Sequence, residues 1–109
     1  MQRACFLLRV KPERLDEYLH AHDPVWPEML AVMREAGIRS YAMFFRPDGL
    51  LVGYLEGEDI PASLRQVAAT EVNARWQERM ASFFEGGSGD LQTGGPEWLT
   101  EYFILNELS

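Results

Sequence analysis

The sequence predicts an α+β domain in which one antiparallel sheet is covered on one face by helices, its elements running strand, helices, strand, strand, helices, strand. Apolar runs of period two open the chain, close it and flank the turn Pro47-Asp48-Gly49, and two stretches between them repeat at helical spacing. The composition agrees: 109 residues, 47% hydrophobic and 25% charged, suit one globular core. Residues 1–109 therefore read as a single domain.

Arg3 to Val10 is the first expected strand, with Phe6, Leu8 and Val10 on one face and Cys5 and Leu7 making the other face apolar as well. Pro12 suits the first turn of a helix, whose Leu15, Tyr18, Leu19 and His22 fall at i, i+3, i+4 and i+7. That helix should end near His22, because Pro24 pushes Asp23 out of the α region. Pro27 opens a second helix with Met29, Val32, Met33 and Ala36 on one stripe, and Gly37 supplies a left-handed C-cap.

Ile38 to Arg46 reads as a strand, with Tyr41, Met43 and Phe45 on one face and Ala42 and Phe44 on the other. Beyond the turn, Leu50 to Glu56 returns as its hairpin partner. Ile60 to Phe84 is helical in two pieces that meet near Thr70, a residue suited to cap the second. Leu64 and Val67 make the first stripe; Val72, Trp76, Met80 and Phe83 make the next. Gly86 to Pro96 carries five of the nine glycines and reads as a loop, after which Trp98 to Leu105 alternates as a final strand.

This β-α-β-β-α-β order is that of a ferredoxin-like sandwich. Several strands are apolar on both sides, and a domain of this size buries only roughly 60 to 65% of its unfolded surface. A second subunit's sheet is therefore expected on the open face, giving a homodimer built as a dimeric α/β barrel.

The net charge of −7, with the ten Lys and Arg scattered, argues against nucleic acid and anionic membranes as partners. Cys5 has no second cysteine to pair with, is expected to be a buried structural thiol, and fits a cytoplasmic location. The apolar run Ala4 to Leu8 is too short for a signal sequence or a membrane span.

His20 and His22 would diverge by about 200° on a helix, and no cysteine or histidine cluster completes a ligand set, so no metal site is expected. The run Gly86-Gly87-Ser88-Gly89 lacks the ending of a phosphate-binding loop. His22 supports two readings. A helix C-terminus and the neighbouring Asp23 favour its protonated form, making it a proton donor near neutral pH; alternatively it only caps the last helical carbonyls. Tyr18, Tyr41 and Trp76 are each ordinary core residues taken alone, but together with His22 they offer two hydroxyls, a flat aromatic face and an acid, which suits a sugar.

The segments "EYLHAHDPVWPEM", "GIRSYAMFF" and "VAATEVNARW", together with the opening strand and the aromatic-rich end, resemble the L-rhamnose mutarotase family along nearly the whole chain. The resemblance implies a homodimer of ferredoxin-like subunits that interconverts the α and β anomers of a reducing sugar without a cofactor. It also implies His22 as the proton donor, with Tyr18, Tyr41 and Trp76 contacting the monosaccharide. That family often has a tandem tryptophan where this chain has Trp76-Gln77, so an amide replaces a second stacking surface and is expected to bind a hydroxyl. The general base stays open among a tyrosine hydroxyl, Glu101 and water. The rival readings are a cofactor-independent monooxygenase, whose pocket should be mainly apolar, and a non-catalytic ligand-binding barrel.

Overall fold

The computed structural model describes residues 1–22, 25–85 and 96–105. Its sheet has the order β2-β3-β1-β4, formed by β1 (Gln2–Arg9), β2 (Ile38–Phe45), β3 (Leu50–Gly57) and β4 (Glu97–Leu99). All three pairings are antiparallel. Between β1 and β2 lie α1 (Leu15–Ala21) and α2 (Pro27–Glu35); α3 (Ile60–Ala68) and α4 (Glu71–Met80) follow β3. The ferredoxin-like order expected from the sequence is thus present.

Phe6, Leu8 and Val10 of the first strand and its continuation are buried beneath the helices, as their alternation requires. The hairpin forms at the expected turn: Gly49 adopts φ +96°, Arg46 N–H donates to the Leu50 carbonyl at 2.8 Å, and Asp48 Oδ1 accepts from Leu50 N–H at 3.2 Å. Pro27 begins α2, and Gly37 follows its end at φ +99°. Thr70 Oγ1 accepts from Asn73 N–H at 3.2 Å and caps α4, while Asp59 Oδ1 does the same for α3 through Ala62 N–H at 3.1 Å. Ser63 is buried within the helical layer because its hydroxyl donates to the Ala36 carbonyl at 2.6 Å, tying α3 to the end of α2.

Two expectations are corrected. The last strand does not run from Trp98 to Leu105: β4 is only Glu97–Leu99, paired with Leu7 to Cys5. Continuing that register sets residue 102 opposite Gln2, where β1 begins, so residues 103–105 pass the end of β1, while residues 100–102 run beside it without joining the ladder. Alternation specifies which side chains share a face, whereas a strand also needs an edge to bond. Cys5 is half-buried, because odd-numbered residues of β1 face away from the helices. Asp23, Pro24 and most of the glycine-rich loop, residues 86–95, lie outside the described residues.

The sheet centre depends on one small residue. Gly53 pairs with Phe6, and a Cβ there would fall inside the Phe6 ring, which lies across the sheet wholly buried. From that position Phe6 packs edge-on to Tyr41 at 6.3 Å and against Trp98 at 5.1 Å. Gly53→Ala should therefore displace the ring and cost about 1–3 kcal/mol. Urea unfolding measures this, and a loss below about 0.5 kcal/mol would contradict the packing assigned to Phe6.

Candidate functional site

A cavity of about 260 Å³ opens between the helices and the β2 side of the sheet. An apolar cavity of roughly 150 Å³ accommodates benzene, so this one suits a single substituted six-membered ring. All five side chains singled out in the sequence, Tyr18, His22, Tyr41, Trp76 and Gln77, line it. The helices bring four of them and β2 brings Tyr41.

The end of α1 fixes His22. Its backbone N–H donates to the Leu19 carbonyl at 3.2 Å in a tightened last turn, and its ring Nδ1–H donates to the Tyr18 carbonyl at 3.1 Å. The second bond settles the tautomer: Nδ1 carries the proton, and Nε2 is left with a lone pair and no partner among the described residues. The ring packs on Tyr18 at 4.4 Å and stands perpendicular to Trp76 at 5.2 Å. Trp76 is in turn held edge-to-face by Trp26 at 5.0 Å, the residue immediately before the start of α2. Trp26 thus serves the site from behind.

Burial pushes the His22 imidazole below its ordinary range, and the bond to the Tyr18 carbonyl opposes this only in part. This direction is opposite to the imidazolium bias expected from the helix end and Asp23, of which Asp23 lies outside the described residues. Both phenols move the opposite way. Burial raises Tyr18 strongly, with a smaller contribution from the nearness of Tyr41, and burial raises Tyr41. Tyr41 is 37% exposed as a residue, yet its phenolic end is withdrawn from water; the accessible part belongs to the flank of an edge strand. The two hydroxyls are therefore held as neutral O–H groups, donors and not bases.

Glu101 is not on the wall; its carboxylate pairs with Arg3 at 2.9 Å. Asn73 is on the wall and sequence reasoning missed it, although its spacing of four from Gln77 on one helix was available as a signal. Among the described residues the wall carries one imidazole, no carboxylate and no thiol, which is not a set that holds a metal ion.

An antiparallel sheet with helices on one face, enclosing a cavity with one proton-transfer group among aromatic and amide side chains, defines a small-molecule site of the ferredoxin-like class. A family model described as L-rhamnose mutarotase matches residues 3–105. The L-rhamnose mutarotase of Oceanobacillus iheyensis is 33% identical over 107 residues, covering 97% of this chain and all of that protein. That of Pectobacterium atrosepticum is 34% identical over 98 residues, covering 89% and 86%. The chain belongs to the L-rhamnose mutarotase family. Among solved structures, an L-rhamnose mutarotase from Formosa agariphila shares the fold with a TM-score of 0.78 at 19% identity, over 97% of this chain and all of that one. A tetracenomycin F2 cyclase from Streptomyces glaucescens also shares it, with a TM-score of 0.66 at 17% identity, over 97% of this chain and all of that one. The fold is common to both; the site must decide the chemistry.

The state of His22 gives a titration with a definite sign. Its folded pKa lies below the unfolded value of about 6.5, so the fold favours the neutral ring. The associated stability is fully present above about pH 6.5 and is lost as pH falls from there through the lowered folded value. NMR titration of the imidazole signals, assigned with His20→Gln, should place the His22 midpoint below 6.5, and His22→Gln should remove that part of the acid destabilisation. A midpoint above 6.5 would contradict the burial assigned to the ring.

Proposed function

We propose that this protein is an L-rhamnose mutarotase, an isomerase that interconverts the α and β anomers by opening and reclosing the pyranose ring, with His22 as the proton-transferring residue. The observation that carries the reading is the arrangement of His22: one nitrogen tied to the Tyr18 carbonyl, the other without a partner among the described residues, on a side chain that lines a ring-sized cavity in a chain of this family. Tyr18 and Tyr41 donate hydrogen bonds to the sugar, Trp76 receives its C–H face, and Gln77 binds a hydroxyl.

The anomeric oxygen and the ring oxygen are both bonded to C1, so one imidazole nitrogen reaches both. Neutral Nε2 takes the proton of the anomeric hydroxyl as the C1–O5 bond breaks and C1 becomes the aldehyde carbon. The same nitrogen then gives its proton to the ring oxygen, leaving His22 neutral and the sugar open. Rotation about C1–C2 followed by the reverse steps yields the other anomer. His22 is thus the proton donor the sequence suggested and also the base it left open, and the neutral resting ring suits that order. This chemistry calls on no metal and no organic cofactor.

We also propose a homodimer. Leu7, Ala42, Phe44, Val52 and Leu99 sit on the sheet face away from the helices, with Phe44 at 61% exposure. The tail adds Tyr102 at 96% and Phe103 at 70%, more apolar surface than a solvated face normally carries. A second copy's sheet and tail would cover both. The lone thiol on that same face supports a reducing, cytoplasmic setting, and among the described residues no helix is long and apolar enough to cross a membrane.

The monooxygenase reading is supported less well, because the chain belongs to the L-rhamnose mutarotase family and its largely apolar wall also carries hydroxyl, imidazole and amide groups. Exchange NMR on the anomeric protons of L-rhamnose tests the reading. The protein should accelerate exchange, and His22→Ala should slow it at least tenfold while sugar binding survives. Saturable binding without exchange would point instead to a non-catalytic barrel. Trp76→Ala should lose affinity first, because stacking is present in ground and transition states alike. Sedimentation equilibrium at micromolar concentration should give a dimer that Phe44→Glu weakens; a monomeric wild type would refute that assembly.

A further inference from the structure

We infer that Asn73 and Gln77 act together as a specificity device that recognises two adjacent non-anomeric hydroxyls of the sugar, a role that rests on the mutarotase reading of this cavity. The two residues stand one turn apart on α4, on the helix that also carries Trp76, and both reach the cavity. Gln77 Nε2 donates to Asn73 Oδ1 at 3.2 Å. That bond consumes one donor and one acceptor of the four polar positions the two amides share, and it fixes the amides relative to each other.

The remaining Asn73 Nδ2 is the telling atom. Asn73 is only 5% exposed, its backbone N–H is taken by the Thr70 cap, and Nδ2 has no hydrogen-bond partner among the described residues. Yet no fully enclosed side-chain nitrogen or oxygen among the described residues is left unpaired. Asn73 borders the cavity, and Nδ2 is the group it can present there. Beside it, Gln77 Oε1 accepts no hydrogen bond among the described residues. Were both amides turned over, the pair would still offer one N–H and one carbonyl, so the recognition pattern does not depend on their orientation.

A donor and an acceptor side by side match two neighbouring hydroxyls, one accepting from Nδ2 and the other donating to Oε1. The surrounding wall is largely apolar, formed by Met33, Leu64, Val67 and Met80 among others. Removing one of the two hydroxyls then leaves a buried amide group unpaired with little water to replace it, which is how sites discriminate steeply against deoxy analogues. His22 serves the C1 end of the ring and the amide pair grips another part, so the sugar is oriented by two separate contacts. Asn73 here is a binding residue that also positions Gln77, and it takes no proton.

The test compares L-rhamnose with its 2-, 3- and 4-deoxy analogues, reading KM and kcat by anomeric exchange NMR and affinity by calorimetry. The wild type should lose at least about tenfold in affinity for two analogues lacking neighbouring hydroxyls. In Asn73→Ala that difference should collapse, with L-rhamnose itself weakened in KM more than in kcat. Gln77→Leu, at a half-exposed position that tolerates substitution, should collapse it in the same way, so the outcome does not hang on the folding of one variant. Variants that keep the wild-type ranking of analogues would overturn the amide pair while leaving the mutarotase reading intact. A wild type that accelerates exchange of no reducing sugar would overturn the mutarotase reading and the pair with it.

Discussion

At the end of α1 the backbone N–H of His22 bonds to the Leu19 carbonyl, in the tightened geometry of a helix's last turn, and the Tyr18 carbonyl is left to accept from the His22 ring. A carbonyl buried in this position has to be satisfied, and satisfying it dictates the imidazole's tautomer and its direction. The proposed chemistry of the site rests on that one bond, since it leaves Nε2 with a lone pair on a side chain that lines the cavity. The tyrosine contributes twice, through its carbonyl to hold the ring and through its phenol to line the pocket.

A domain of 109 residues has little core to give away, and an unfilled space at its centre forfeits packing. The compensation is visible around the cavity. Tyr18 is wedged between His22, Phe83 and Phe84 at 4.4, 6.0 and 5.5 Å, and Trp76 between His22 and Trp26. On the sheet side Phe6, seated over Gly53, supports Tyr41. Stiff rings around the space keep its walls from collapsing, at the cost of burying two phenols whose ionisation is thereby suppressed. That suppression suits the proposed mechanism, in which phenols fixed as donors complement a single neutral nitrogen that transfers protons.

The same four-stranded sheet with helices on one face carries a polyketide cyclase in one neighbour and a sugar mutarotase in another. The scaffold supplies a concave face and an edge strand, and the chemistry is written by the few polar side chains that replace apolar ones on that face. In this chain the polar side chains on the cavity wall are a histidine at a helix end, two phenols and two amides.

The sequence by itself determined the element order and most of the boundaries, because these rest on local physics: Pro27 at a helix start, Gly37 and Gly49 at positive φ, Thr70 as a cap, and periodicities of two and 3.6. It also placed Tyr18 and His22 on one face, since i and i+4 are neighbours on any helix. The gathering of Tyr41, Trp76 and Gln77 around that face was legible only through resemblance, because nothing in spacing brings a strand and two helices together. Tertiary structure alone decided three things. It buried His22, which pushes the imidazole below its ordinary range. It ended β4 at Leu99, opposite Cys5, although alternation continues beyond. And it turned Asn73 into a wall of the cavity, a position whose meaning depends on what stands opposite it in space.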